Sequence, residues 1–266
     1  MEILYGIDMA GPPGWLMAAL AGLVFGSFAS AMTYRIPRGL SWVSGHSACP
    51  SCGHALSVPD LIPFFSWLFL RGRCRHCRAA IGWRYPAIEL ATLVLCLLVY
   101  GAYGFSWAAL ALMAAMPFLV ALVAIDLEHM ILPDQLNIIL GVLGLVFAAV
   151  AAGAGGPLRA AGVALLAGVF YAGLIFAVGW AMSKILRKDA LGLGDVKFFE
   201  AAGIWLGVAF LPIFLILSGV FGVILGLAWK VFLHKDRFPF GPALIASFIA
   251  CAVFYAQIQA LWPQIF

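Results

Sequence analysis

Apolar runs separated by short polar connections occupy most of the chain. An α-helix needs about 20 apolar residues to cross roughly 30 Å of hydrocarbon at 1.5 Å per residue, so each run predicts one transmembrane helix. The predicted spans are 15–34, 86–103, 106–125, 135–153, 158–183, 197–210, 212–232 and 242–262. The run at 197–210 is short. The pattern predicts an all-α, polytopic membrane helix bundle with about eight transmembrane helices.

One long hydrophilic segment, 35–85, interrupts this pattern after the first predicted span. It carries Arg35, Arg38, Arg71, Arg73, Arg75, Arg78 and Arg84. Because it is shorter than about 60 residues, the positive-inside rule predicts a cytoplasmic location. We therefore expect three domains: 1–34 as the first transmembrane helix, 35–85 as a small cytoplasmic loop domain, and 86–266 as a membrane domain with seven further transmembrane helices.

Threading the chain alternately through the membrane places nearly all basic residues on one side. Of the 15 Lys and Arg residues, only Arg159 faces outward when both termini lie outside. The cytoplasmic set outside the long segment is Lys184, Arg187, Lys188, Lys197, Lys230, Lys235 and Arg237. Topology thus explains the net charge of +4, and we expect a lipid bilayer but no nucleic acid as a partner.

Composition agrees with this class, since 65% of the residues are hydrophobic and only 10% are charged. Ordinary soluble domains are about 25% charged, so a soluble globular protein is excluded. The first ten residues contain Glu2 and Asp8 but no Lys or Arg. A cleavable signal peptide begins with a basic region, so we expect none here.

Two C-x-x-C pairs lie in the hydrophilic segment with 21 residues between them: Cys49 with Cys52, and Cys74 with Cys77. This spacing is close to that of a zinc ribbon, and four thiolates about 2.3 Å from the metal suit a structural zinc ion. Thiols stay reduced in the cytoplasm, which favours a metal, although disulfides or a redox-active pair remain alternatives. The other residues of ligand type are interpreted as solvated neighbours, His46, His54 and His76, or as packing residues, Cys96 and Cys251.

An apolar insert, 59–70, lies between the two cysteine pairs. One interpretation places it on the membrane surface. The other makes it the small core of the cysteine-bearing loop, and the sequence favours neither.

The sequence context of Asp126 and Asp195 sets them apart from the other acidic residues. Asp126 belongs to the apolar run that ends the third predicted span, and Asp195 follows the glycines of Gly192-Leu193-Gly194. A carboxylate at a bilayer is costly and usually pairs or lines a cavity, and glycines permit irregular backbone where a substrate strand approaches. Topology predicts both acids at the cytoplasmic face. If the two carboxylates come within hydrogen-bond reach, they share a proton and can perform acid/base chemistry, as in aspartic proteases; the alternative is that they are solvated helix caps.

The remaining acids near this face have simpler interpretations. Asp134 follows Pro133 and precedes the fourth predicted span, so helix N-capping explains it. Glu128 and His129 lie in the turn after Asp126 and are expected to be exposed.

Short motifs along nearly the whole chain occur in the order found in one known family. They are Gly26-Ser27-Phe28, Tyr34-Arg35-Ile36-Pro37-Arg38, Cys49-Pro50-Ser51-Cys52, Asp60-Leu61-Ile62-Pro63 with Ser66-Trp67, the knuckle from Arg71 to Cys77, Arg84-Tyr85-Pro86 with Glu89, the segment from Asp126 to Pro133-Asp134, Gly192-Leu193-Gly194-Asp195, and Pro239-Phe240-Gly241-Pro242. The Gly-Leu-Gly-Asp motif matches the G-x-G-D signature of intramembrane aspartyl proteases. The ordered set resembles the bacterial type IV prepilin leader peptidases.

This resemblance implies a bifunctional enzyme of the bacterial inner membrane. Its family removes the basic leader of type IV prepilins and type II secretion pseudopilins after a glycine, on the cytoplasmic side. It then methylates the new N-terminal amine with S-adenosylmethionine. The resemblance implies Asp126 and Asp195 as the catalytic pair and zinc ligands at Cys49, Cys52, Cys74 and Cys77. Asp134 also matches the family pattern, but we assign it no catalytic role. Glu89 either lines the methyl-donor site or serves as a helix cap or a partner for Arg84.

Other functional classes are weighed against this one. A proton-coupled transporter would use Asp126 and Asp195 as relay acids, but such acids usually lie near the midplane, whereas topology puts both at the boundary. A zinc-ribbon adaptor would need fewer spans for an anchor. A prepilin-type peptidase without methyltransferase activity remains the nearest alternative, and the four-cysteine loop argues against it. The substrates, a pilus or secretion role, and the oligomeric state remain open.

Overall fold

The computed structural model describes residues 11–152, 156–187, 191–234 and 238–261. The expectations for the N-terminal ten residues, and for Lys188, Lys235 and Arg237, lie outside the described residues. The α-helices of the described chain are α1 Pro12–Arg35, α2 Phe65–Phe69, α3 Arg84–Tyr103, α4 Trp107–His129, α5 Asp134–Ala151, α6 Pro157–Leu186, α7 Leu193–Leu206, α8 Leu211–Leu233, α9 Gly241–Val253 and α10 Tyr255–Leu261. Short 3-10 helices occupy Ile36–Arg38, Val58–Leu61 and Val208–Phe210.

The all-α membrane architecture is confirmed, but with fewer spans than the eight expected. Six helices within the described residues are long and apolar enough to cross a membrane, namely α1, α3, α4, α5, α6 and α8. The pair α9 and α10 would make a seventh, although it bends by 76° at its break. Helix α7 is the missing span: its 14 residues reach about 21 Å, and Gly207 ends it with a φ of +74°.

The chain forms two compact units, 1–124 and 125–266, and the boundary between them falls within α4. In the first unit α1 and α3 pack along a stripe of glycines. A Cβ on Gly22 would lie 2.8 Å from the Cα of Leu93, and one on Gly26 would lie 2.7 Å from the Cα of Glu89. Small residues thus let the two backbones touch.

In the second unit the short helix α7 packs against α5, α6 and α9. A Cβ on Gly168 would lie 2.6 Å from the side chain of Ile204, and one on Gly203 would lie 2.8 Å from the ring of Tyr171. The Tyr171 hydroxyl also donates a hydrogen bond of 2.8 Å to the carbonyl of Gly207, where α7 ends. Close packing therefore fixes α7, and with it the G-x-G-D motif at its N-terminus.

Candidate active site and metal centre

Asp126 lies in the last turn of α4 and is 5% exposed. The helix ends just beyond it, where Met130 adopts a φ of +54° and donates its N–H to the Asp126 carbonyl at 2.9 Å. The carboxylate oxygen Oδ2 accepts the backbone N–H of Gly241 at 2.8 Å. A buried carboxylate therefore has one fixed backbone donor.

Gly241 begins α9 at a point where no larger residue fits. A Cβ there would lie 2.7 Å from Asp126 Oδ2 and 2.9 Å from the side chain of Leu132. Leu132 also contacts the G-x-G-D motif, since a Cβ on Gly194 would lie 3.1 Å from its Cβ. Leu132 therefore links the end of α4, the start of α9 and the start of α7.

Asp195 lies in the first turn of α7, outside the candidate spans, and is only partly exposed. Its N–H donates to the Gly192 carbonyl at 3.1 Å, and a Cβ on Gly192 would crowd its carboxylate at 3.2 Å. Burial and the negative charge of Asp126 raise the pKa of Asp195 from 3.8 to about 6, against a hydrogen bond from the Gly192 backbone. The second unit thus brings both predicted acids to one site, within electrostatic reach of each other.

The N-capping role expected for Asp134 is wrong. Pro133 is the N-cap residue of α5, and no side chain caps this helix. The Asp134 carboxylate instead pairs with Lys197 Nζ at 2.7 Å, joining the first turns of α5 and α7. Glu128 and His129 are exposed as expected.

The two cysteine pairs lie in two turns with the same backbone pattern. In the first, the Cys49 N–H donates a hydrogen bond to the His54 carbonyl, and the Leu56 N–H donates to the Ser47 carbonyl. In the second, the Cys74 N–H donates to the Ala79 carbonyl and the Ile81 N–H donates to the Gly72 carbonyl. Each of these residues lies 25 positions after its counterpart in the first turn. Corresponding positions, Gly53 and Arg78, both have a positive φ, of 70° and 61°. The loop is therefore built from two equivalent knuckles, each with one buried and one exposed cysteine.

The four sulfurs fit a tetrahedral metal. Their Sγ atoms all lie within 4.8 Å of one another, and those of Cys49 and Cys77 are 3.8 Å apart. Bonds of about 2.3 Å to a tetrahedral zinc ion give sulfur–sulfur edges of about 3.8 Å. The backbone N–H groups of Cys52 and Ser51 also lower the pKa of the Cys49 thiol to about 6, which favours the thiolate. This cluster could hold a metal ion. His54 and His76 stack on each other at 3.5 Å between ring centroids.

The apolar insert packs on the cysteine loop through Trp67. The Trp67 ring lies 3.0 Å from a Cβ position on Gly72, and its Nε1–H donates to the Ile81 carbonyl at 2.9 Å. Phe69, in the same insert, is 80% exposed. The cysteines expected to pack within helices, Cys96 and Cys251, are both fully buried.

Glu89 has a partner that the sequence did not predict. Its Oε2 accepts the backbone N–H of Phe64 at 2.6 Å, and the N-cap of α3 has no side-chain hydrogen bond. The sequence analysis also gave no role to Gly241 or Lys197. Gly241 was named only as part of a family motif. The feature that could have singled it out is a glycine between Phe240 and Pro242 at the start of a helix.

Fold and site together define a polytopic helical membrane protein with two acidic side chains at one helix-end site and a four-cysteine cluster in a separate loop. Comparison with known families agrees with this division. Residues 20–103 match the family described as bacterial peptidase A24 N-terminal domain, and residues 113–227 match the type IV leader peptidase family. The first match contains the four cysteines, and the second contains both aspartates.

Curated relatives match over most of their length and are named prepilin leader peptidase/N-methyltransferase. The Aeromonas salmonicida (strain A449) protein is 40% identical over 208 residues, which are 77% of this chain and 70% of the relative. The Aeromonas hydrophila protein is 34% identical over 94% of this chain and 93% of its own, and that of Pseudomonas aeruginosa PAO1 is 34% identical over 88% and 89%. No solved structure matches. The chain belongs to the type IV prepilin leader peptidase family.

Proposed function

We propose that this chain is a bifunctional prepilin peptidase and N-methyltransferase. It removes the basic leader of type IV prepilins and type II secretion pseudopilins, then methylates the new N-terminal amine with S-adenosylmethionine. The observation that carries the peptidase half is the pairing of Asp126 and Asp195 around Leu132 and Gly241. Relatives named for both activities support the methyltransferase half.

In this proposal the two acids act as one aspartyl dyad. In the active form Asp195, whose pKa is raised to about 6, carries the shared proton, and Asp126 accepts the Gly241 N–H. Asp126 removes a proton from water, the water oxygen attacks the scissile carbonyl carbon, and Asp195 protonates the carbonyl oxygen. The intermediate returns a proton to Asp195 and breaks its C–N bond as Asp126 protonates the leaving amine.

The four cysteines hold a structural zinc ion in this proposal. When bound, zinc would fasten the two knuckles together, and four thiolates leave no open coordination position for chemistry. The proposed setting is the bacterial inner membrane, with the cysteine loop and both aspartates at the cytoplasmic face. The proposed domains are 1–34, 35–85 and 86–266, and the argument for the setting is the arginine content of the loop.

The direct test is mass spectrometry of a prepilin after incubation with the purified protein, with and without S-adenosylmethionine. We expect loss of the leader in both samples and an added methyl group only with the donor. Asp126→Asn and Asp195→Asn should abolish cleavage, whereas Asp134→Asn, which alters an exposed ion pair, should retain it. Cleavage by either dyad variant would overturn the dyad, and cleavage without methylation would restrict the function to a peptidase.

A further inference from the structure

The first unit contains a pocket of about 500 Å³ between α1, α3 and the cysteine loop. Its volume lies in the range of small-molecule sites, about 300 to 1,000 Å³. Five of its lining residues bear on the argument: Ser27, Ser30, Trp67, Arg75 and Glu89. The pocket lies wholly within the unit that lacks the two aspartates.

Two helices form the floor of the pocket. The α1 and α3 backbones touch where a Cβ on Gly26 would lie 2.7 Å from Glu89. One turn further along α1, Ser30 Oγ donates to the Tyr85 carbonyl at 3.5 Å. Serines on α1 therefore line the cavity where larger side chains would fill it, and the Glu89 side chain is part of its floor.

The cysteine loop forms the wall. The Trp67 ring is positioned by the hydrogen bond from its Nε1–H to the Ile81 carbonyl and by an edge-to-face contact with Trp83, at 5.1 Å between ring centroids. Arg75 is held by Asp60 at 2.7 Å, and the Asp60 side chain is itself 5% exposed. An indole ring and a fixed guanidinium thus line the same cavity as a carboxylate.

Glu89 is the carboxylate that fixes this arrangement. Through its Oε2 it holds Phe64, whose φ of +61° is strained for a bulky residue. Phe64 is the N-cap residue of α2, the short helix that carries Ser66 and Trp67. One carboxylate therefore orients the aromatic wall of the pocket and supplies a negative charge to its floor.

We propose that this pocket binds S-adenosylmethionine, an inference that rests on the methyltransferase half of the proposed function. The donor has a flat adenine base, a carboxylate and a cationic sulfonium. Trp67 offers a surface on which a base stacks, Arg75 a cation for the carboxylate, and Glu89 an anion for the sulfonium.

The transfer that this site would perform balances without a further reactant. The new N-terminal amine loses one proton, and its lone pair attacks the methyl carbon of the donor. The N–C bond forms as the S–C bond breaks, and the electron pair stays on sulfur to leave a neutral thioether. Glu89, at the pocket floor, accepts the amine proton.

The test measures donor binding in full-length protein in detergent, by equilibrium dialysis with S-adenosylmethionine carrying a tritiated methyl group. Glu89→Gln keeps an acceptor for the Phe64 N–H but removes the charge, and we expect about tenfold weaker binding. Ser27→Trp fills the cavity and should abolish binding. Val24→Trp, on the 63% exposed face of the same helix, is the matched control and should bind as the wild type. Ultraviolet crosslinking should label peptides from the first unit.

The outcomes separate this site from the function on which it rests. Methylation by the wild type, with undiminished donor binding in Ser27→Trp and Glu89→Gln, would overturn the site and leave the function standing. Donor binding that both variants lose, in a wild type that methylates no prepilin, would keep the site and remove the methyltransferase function. A wild type that binds no donor, or a crosslink confined to residues after 124, would overturn the site directly.

Discussion

Asp195 combines the catalytic role that we propose for it with a cost to stability. Burial and Asp126 raise its pKa from 3.8 to about 6, so the folded state binds more protons than the unfolded state between these values. The free energy of unfolding therefore falls as the pH rises through this window. Above pH 6 the ionised carboxylate is a net destabilising group, as is common where a site is arranged for chemistry.

We predict that Asp195→Asn stabilises the protein while it inactivates cleavage. The rise from 3.8 to about 6 corresponds to about 3 kcal/mol at neutral pH, and asparagine removes the charge that causes it. The thermal midpoint in detergent should exceed that of the wild type at pH 7.5, and the gain should shrink towards pH 4. Asp134→Asn is the control. Equal midpoints for wild type and Asp195→Asn at pH 7.5 would contradict the prediction.

Sequence context identified the two acids but not their surroundings. Asp126 and Asp195 stand out because charge is rare in apolar runs and because glycines precede one of them. The donor to Asp126 is a backbone N–H 115 positions away, so no local pattern could reveal it. Asp134 was assigned to a cap because a local rule fits its position, whereas its partner Lys197 lies on another helix.

At the scale of elements, the start of α9 is as important to the site as the helices that carry the acids. Gly241 donates the hydrogen bond to Asp126 and touches Leu132. Pro242 follows it at the first turn, where a proline suits the helix and needs no N–H partner. The helix therefore begins at a fixed point, with its free N–H directed at a carboxylate.

We predict that Gly241→Ala greatly reduces leader cleavage. Its Cβ would lie 2.7 Å from Asp126 Oδ2, so either the carboxylate or α9 has to move. Gly219→Ala in α8 is the matched control, because nothing lies within 4 Å of a Cβ there. Cleavage rates of the two purified variants should differ by at least about tenfold, because a small displacement of a catalytic group lowers the rate by that much or more. Equal cleavage rates would show that the absence of a Cβ at Gly241 is not required for activity.

Hydrophobic patterns predicted most helices to within a few residues, such as α3 and α6, because a span is defined by composition and length. The exception is α7, which was counted as a span at 197–210 but begins at Leu193 and ends at Leu206. Its apolar residues face other helices, for example Phe198 and Phe199, which are 1% and 2% exposed. Hydropathy alone does not distinguish such a helix from one that faces lipid.

At the scale of the whole molecule, the two activities that we propose fall to two different units of the chain. The four cysteines and the pocket lie in the unit of residues up to 124, and both aspartates lie in the other. The cysteine spacing predicted the metal cluster because each ligand pair is local. The pocket was not predicted, because its floor brings together two helices whose lining residues, Ser27 and Glu89, lie about 60 positions apart in the sequence.

We predict about one zinc ion per chain in protein purified under reducing conditions. The four Sγ atoms already lie within 4.8 Å of one another, so Cys74→Ser removes one of four ligands and should lose the metal. Cys96→Ser removes a thiol from a helix far from the cluster in sequence and should retain it. Elemental analysis of the three proteins checks this. Metal-free wild type would refute the prediction, and so would zinc that persists in Cys74→Ser.

The paired knuckles have a consequence for chain entropy. A metal at their centre would cross-link positions 28 residues apart, Cys49 and Cys77, and closing a loop of that length removes much freedom from the unfolded chain. The enclosed segment also has its own contacts, namely the Trp67–Ile81 hydrogen bond and the Arg75–Asp60 ion pair, so a metal would add to their order. Loss of the metal would therefore return that freedom to the loop that carries Trp67.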